Sequence, residues 1–171
     1  MTPTAKKNAQ RATMIRFAGY FLLCLLAGFA ILLAPFTQPA FERATASLVT
    51  VCAFVVRLFG GSASAHLNLL LNPVNGYSIE VKDTCNASNV TLMLWAAILA
   101  FPAPWIKKGK GLLAGTLAIH VLNLIRIISL FYLGQYNTSW FDFAHLYVWE
   151  SLIMLGTMVI FSLWVRTLHS R

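Results

Sequence analysis

The residues best suited to chemistry in this chain are Cys85, Arg126 and His145, and each falls near the same end of a different strongly apolar segment. An arginine in hydrocarbon costs roughly 2.5–3.5 kcal/mol on insertion scales, so it persists where a partner or a task offsets that cost. A thiol attacks as its thiolate, a form favoured by a helix N-terminus beside a cation. An imidazole titrates near neutral pH and can take a thiol proton and return it to a leaving amine. A guanidinium can hold a substrate carbonyl or donate hydrogen bonds to the oxyanion of a tetrahedral intermediate. Together the three point to acyl chemistry. Each also has a plainer reading: Cys85 as a small core residue, His145 as an interfacial histidine bonded to a backbone carbonyl, Arg126 as a side chain reaching to headgroups. Their agreement in depth favours the joint reading.

The elements that must position them are membrane helices. Of 171 residues 58% are hydrophobic and only 11% charged, too apolar for a soluble domain. A span needs about 20 mostly apolar residues; segments 17–34, 111–133 and 143–165 meet that length, and 86–101 is shorter but usable. The net charge of +8 does not imply nucleic acid, because the basic residues flank the spans. Lys6, Lys7, Arg11 and Arg16 precede the first span, Lys107, Lys108 and Lys110 separate the third and fourth segments, and Arg166 and Arg171 follow the last. By the positive-inside rule these stretches are cytoplasmic, both termini included. Glu42, Glu80, Asp83, Asp142 and Glu150 then fall on the outer side or in the adjoining helix ends. At ~1.5 Å per residue Arg126 lies about 24 Å above Lys110, in the outer leaflet of a core about 30 Å thick.

Parity then requires an even number of crossings between the N-terminus and the Lys107 loop. The weakest candidate is 41–59, where Arg43, Ser47, Thr50 and Arg57 share one helical face. It is predicted to lie flat in the outer interface, with Leu48, Val51 and Val55 turned toward lipid or the bundle. The first span reads as a retained anchor, since its apolar run is long and lacks a clean small-residue cleavage site. Leu69, Leu70 and Leu71, the turn signal Asn72-Pro73-Val74-Asn75-Gly76 and the alternating stretch 77–82 predict a short outer hairpin. The expected fold is an all-α, multi-pass transmembrane bundle of about four crossings plus one interfacial helix and that hairpin, forming one domain over 1–171.

Around the three central residues, Asp83, Asn86, Asn89, Asn123 and Glu150 are candidate supporting residues. Asp83 or Thr84 can cap the helix that starts at Cys85. His120, Asn123 and Arg126 follow at i, i+3 and i+6, a polar stripe expected to face the bundle. Cys24, Cys52 and Cys85 give no disulfide pattern. No metal and no cofactor are expected, because the sequence holds no close His/Cys/carboxylate cluster of ligand kind.

Asp83-Thr84-Cys85-Asn86-Ala87 at a helix start, Asn123-x-x-Arg126, and Phe143-Ala144-His145 at the last helix resemble the exosortase/archaeosortase family of multi-pass membrane proteins, most closely its exosortase H subgroup. The resemblance covers roughly 60–165. It implies a cysteine protease-like transpeptidase of the bacterial inner membrane, with its active site on the outer face. The substrates would be exported proteins with a C-terminal sorting signal made of a short motif, an apolar helix and a basic tail. It further implies Cys85 as nucleophile, Arg126 as oxyanion or substrate-orienting group and His145 as acid/base, an Ile-Pro-Thr-Leu type of signal, and an acceptor nucleophile that the sequence does not identify. Many members place Ser-Gly after the cysteine, where this chain has Asn86-Ala87.

Two other readings come from different classes. A non-enzymatic transport or assembly subunit would use Arg126 and Glu150 as a buried ion pair and tolerate loss of Cys85. A haem or metal carrier would use His120 and His145, which are expected at different depths.

Overall fold

The computed structural model describes residues 3–82, 85 and 87–169, and of residues 3–10 and 169 the backbone alone. Asp83, Thr84 and Asn86 therefore lie outside the described residues. The first helix, α1 (Pro3–Leu32), is apolar on all sides beyond Phe17, as a lipid-embedded helix is. It stops where Pro35 can supply no backbone donor. The carbonyls left open at its end are taken up by Thr37 Oγ1, which donates to Ala34 O at 2.7 Å and Ile31 O at 3.0 Å, and by Gln38 Nε2, which donates to Leu32 O at 3.1 Å. One 3-10 turn, Pro35–Thr37, then leads into α2 (Gln38–Leu58).

Helix α2 is two-faced, as its sequence spacing predicts. Thr45, Val49, Cys52, Ala53 and Val56 are buried, while Arg43, Ser47, Thr50 and Arg57 are exposed. The buried face rests on a three-stranded antiparallel sheet, β1 (Ser64–His66), β2 (Leu69–Leu71) and β3 (Ser78–Glu80), in that order. The β2–β3 hairpin pairs Leu69 with Glu80 and Leu71 with Ser78, as expected; β1 is an addition, pairing Ser64 with Leu71. Its presence explains why β2 reads as an unbroken leucine run: it is the central strand, and Leu70 is completely buried. At the hairpin tip, Gly76 takes a left-handed φ of 72° and donates to Asn72 O at 2.9 Å.

The sheet is pinned to the far end of α4 (Trp105–Tyr136). Gln135 Oε1 accepts from Asn72 Nδ2 at 2.6 Å and from Asn75 Nδ2 at 2.8 Å, and the Tyr77 hydroxyl occupies the place a β-carbon at Gly134 would need. Burial first, and the charge of Asp142 second, raises the Tyr77 phenol and keeps it neutral there.

Four stretches are long and apolar enough to cross a membrane: Arg11–Leu32, Pro35–Leu58, Trp105–Tyr136 and Thr138–Leu168. The number matches the expected one, but α2 is in the set and α3 (Ser88–Ala100) is not, because it has only 13 residues. At ~1.5 Å per residue α3 reaches about 20 Å, short of a hydrocarbon core of about 30 Å. One face meets α1, α4 and α6, with Val90, Thr91, Leu94, Ala96, Ile98 and Ala100 buried, while Asn89, Met93 and Trp95 are exposed.

The last membrane stretch is composite. Asn137 caps α5 (Thr138–Phe143) by accepting from Ser139 N at 2.8 Å and Trp140 N at 3.2 Å. A π-helical turn, Ala144–Trp149, follows, and α6 (Glu150–His169) completes it. Two apolar cores result. One joins α2, the sheet and the far end of α4 through Val49, Cys52, Leu70, Ile127 and Phe131. The other joins α3, α4 and α6 through Val90, Leu94, Ile98, Ile119 and Ile153.

Candidate functional site

Cys85 sits at the seam between these two cores, partly buried against the first, while Ala87, two residues on, belongs to the second. The seam is tight. Cys85 N donates to Lys82 O at 2.8 Å, and Ala87, which precedes α3, takes a left-handed conformation of φ 64° and ψ 11°. A non-glycine residue held there carries strain that the surroundings must enforce. Glycine, which the resemblance gives for many members at this position, fits the same backbone without strain.

Helix α4 supplies the anchor. Asn123 is completely buried, and its Nδ2 donates to Cys85 O at 3.0 Å. Its Oδ1 is buried with no hydrogen-bond partner among the described residues. One turn along the same face, Arg126 is buried with 6% of its surface exposed.

The opposite wall comes from the composite helix. His145 Nε2 lies 3.6 Å from Cys85 Sγ, within reach of a sulfur hydrogen bond, although sixty residues separate them. The imidazole is stacked on Phe141, with centroids 5.7 Å apart and planes inclined by 22°. Five residues beyond His145, Glu150 Oε2 stands 3.7 Å from Arg126 Nη2. In an α-helix, residues five apart would diverge by about 140° at ~100° each; the wider i→i+5 turn of the π segment between His145 and Glu150 reduces that divergence. Such turns recur at functional sites.

The Arg126–Glu150 contact is long for a hydrogen bond, and the Glu150 side chain is 53% exposed. Exposed pairs contribute about 0–1 kcal/mol, less than the roughly 2.5–3.5 kcal/mol cost of inserting an arginine. Glu150 alone does not offset the burial of Arg126. A base poised on a thiol, with a buried and loosely engaged guanidinium on the neighbouring helix, can activate a nucleophile and receive negative charge on an acyl oxygen.

Cys85, Asn123, Arg126, His145 and Glu150 are thus brought together. Asp83 and Asn86 lie outside the described residues. Asn89 is exposed on α3, and among the described residues no hydrogen bond joins it to the others. The polar stripe on α4 divides: Asn123 and Arg126 are buried, but His120 is exposed in a lateral cleft against α1 and α3, contrary to the expectation that all three face the bundle. Among the described residues no group of three or more His, Cys, Asp or Glu gathers as metal ligands do. Phe141 was not singled out from the sequence; its signal was the i, i+4 spacing to His145 on one helical face.

No curated protein and no solved structure matches the chain. The family model described as transmembrane exosortase matches residues 7–164, well beyond the 60–165 over which the motifs carry the resemblance. Together with the long apolar helices, this match identifies a multi-pass membrane protein. The chain belongs to the transmembrane exosortase family.

Proposed function

We propose that this protein is a membrane-embedded cysteine peptidase/transpeptidase that cleaves a C-terminal sorting signal through a thioester on Cys85. The observation that carries this reading is the 3.6 Å approach of His145 Nε2 to Cys85 Sγ, made across two separate helical elements. His145 takes the thiol proton as Cys85 Sγ attacks the scissile carbonyl carbon. The oxyanion that forms is met by hydrogen bonds from the Arg126 guanidinium. Collapse of the tetrahedral intermediate breaks the C–N bond, and the leaving amine takes its proton from His145. An acceptor amine or water then attacks the thioester, gives its proton to the same imidazole, and the thiol is restored. Asn123, through its bond to Cys85 O, fixes the depth and direction of the nucleophile.

Orientation follows from charge. The positive-inside rule applied to Lys107, Lys108 and Lys110 supports a cytoplasmic start for α4, with both termini inside and the Cys85 site at the outer face of a bacterial inner membrane. Substrate enters sideways from the bilayer, its basic tail kept cytoplasmic and its scissile bond at the depth of Cys85. Membership of the exosortase family and the exosortase H motifs support a short Ile-Pro-Thr-Leu type of signal ahead of the substrate helix.

The Arg126–Glu150 pair favours a second reading, a non-enzymatic transport or assembly subunit. The experiment that separates the two is co-expression of an exported protein bearing the signal, with the product read by intact mass in wild type and Cys85→Ala. The enzymatic reading expects truncation at the signal in wild type and full-length protein in the variant. Equal processing in both sinks it.

A further inference from the structure

Helix α1 packs along α3 and barely on α4, leaving a cleft of about 680 Å³ open to the side between α1 and α4, with α3 as its floor. It runs from Ser88, three residues beyond Cys85, to Leu99, about 17 Å at ~1.5 Å per residue. Its floor is closed by Trp95, whose Nε1 donates to Thr116 Oγ1 at 2.8 Å. The lining holds no lysine, arginine or carboxylate, and its polar groups gather toward the site end. One of them is unsatisfied: Thr91 is 9% exposed, lines the cleft, and among the described residues its Oγ1 has no hydrogen-bond partner, not even the Ala87 carbonyl one turn back. That oxygen is itself buried, and a rotation about χ1 would turn it to an occupant of the open groove beside it.

A second groove, about 760 Å³, lies between α4 and α6, but Lys107 and Lys110 stand at its mouth. A helix that ends in a basic tail is repelled there by like charge. The first cleft has no charged residue in its lining and begins beside the nucleophile.

We infer that the cleft between α1, α3 and α4 is the docking groove for the substrate's transmembrane helix, and that Thr91 bonds a hydroxyl or a carbonyl exposed beside a small residue on that helix. This rests on the proposed function for the identity of the substrate. The substrate helix runs parallel to α3, out to in, so that its first two or three turns fill the cleft and its N-terminal end emerges at Cys85. Selectivity for a Gly, Ser or Thr on the matching face of the substrate helix follows, because only a small residue lets the two backbones approach closely enough for the Thr91 bond.

The test places a benzophenone amino acid at Thr91 or, as the comparison, at Ala118 in the lysine-mouthed groove. Both are made in full-length Cys85→Ala co-expressed with the signal-bearing protein. The inference expects a substrate adduct from position 91 and little from 118. Adducts mainly from 118, or only lipid adducts from 91, overturn it. In otherwise wild-type protein, Thr91→Trp fills the cleft and is expected to lower cleavage at least about tenfold, while alkylation of Cys85 by a small maleimide keeps its rate and so reports an intact fold. Unchanged cleavage in Thr91→Trp also overturns the inference. The two failures separate cleanly: an adduct at 91 without Cys85-dependent cleavage rejects the proposed chemistry and keeps the groove, whereas Cys85-dependent cleavage with adducts only at 118 rejects the groove and keeps the chemistry.

Discussion

Two cations are buried in the same helix and are held in opposite ways. Lys108, 8% exposed, donates from Nζ to Leu99 O at 2.5 Å and lies 4.8 Å over the Trp105 ring. It closes the carbonyl end of α3, where a positive charge also meets the negative end of the helix dipole. Arg126, 6% exposed, has Glu150 at 3.7 Å as its one charged partner among the described residues. Eighteen residues apart, they stand about 27 Å from one another at ~1.5 Å per residue, close to one hydrocarbon thickness. Lys108 is satisfied by the fold and serves the fold. Among the described residues nothing offsets the burial of Arg126 fully, which is what the proposed role as an oxyanion donor asks of it.

The contrast is broken most directly by removing each cation. Arg126→Gln is expected to lower cleavage by about 10²-fold or more, the scale of losing an oxyanion donor, with little change in thermal stability. Lys108→Met is expected to cost about 1–2 kcal/mol of stability in a denaturation assay while leaving kcat/KM near wild type. Should Lys108→Met cripple cleavage in protein that remains folded, the division of labour fails.

Smaller changes sharpen the same comparison. Asn123→Ala frees Cys85 O and is expected to lower kcat about tenfold with KM nearly unchanged, whereas Asn89→Ala, on the exposed side of α3, does neither. Glu150→Gln removes the loose partner of Arg126 and is expected to change cleavage only about threefold, in keeping with a half-exposed pair. If Glu150→Gln and Arg126→Gln proved equally damaging while Cys85→Ala was silent, the pair itself would be the functional unit and the non-enzymatic reading would hold. The smallest effect is at Ala87. Glycine there relieves the left-handed strain but gives up a buried methyl, so Ala87→Gly is expected to raise stability by less than about 1 kcal/mol in the same assay.

The residues proposed to carry chemistry were legible because charge and polarity are conspicuous in an apolar chain: Cys85, Arg126 and His145 stood out by type, and the depth of Arg126 followed from counting up from Lys110. The hairpin was legible in Asn72-Pro73-Val74-Asn75-Gly76, and the two-faced character of α2 in the spacing of Arg43, Ser47, Thr50 and Arg57. Strand β1 was not, since Ser64-Ala65-His66 has no alternation and exists because β2 offers it an edge. Nor was the π turn at Ala144–Trp149, which leaves no mark in a 3.6-residue pattern yet sets how His145 and Glu150 are turned relative to each other. The short reach of α3 was legible in the length of 86–101, but not which neighbours cover it, because hydropathy does not distinguish lipid from protein as the apolar surroundings. His120 was assigned to the bundle by its spacing from Asn123 and Arg126, but positions six apart on a helix point about 120° from one another, and His120 lines the cleft instead.

The central claim is that Cys85 becomes acylated, and the most direct measurement is a rapid acid quench of wild-type protein turning over a signal-bearing substrate, followed by peptide mapping of the enzyme. The account predicts the truncated substrate attached through a hydroxylamine-labile bond to the peptide that contains Cys85. Cleavage that proceeds with Cys85 unmodified, or an adduct on Cys24 or Cys52 instead, would contradict it.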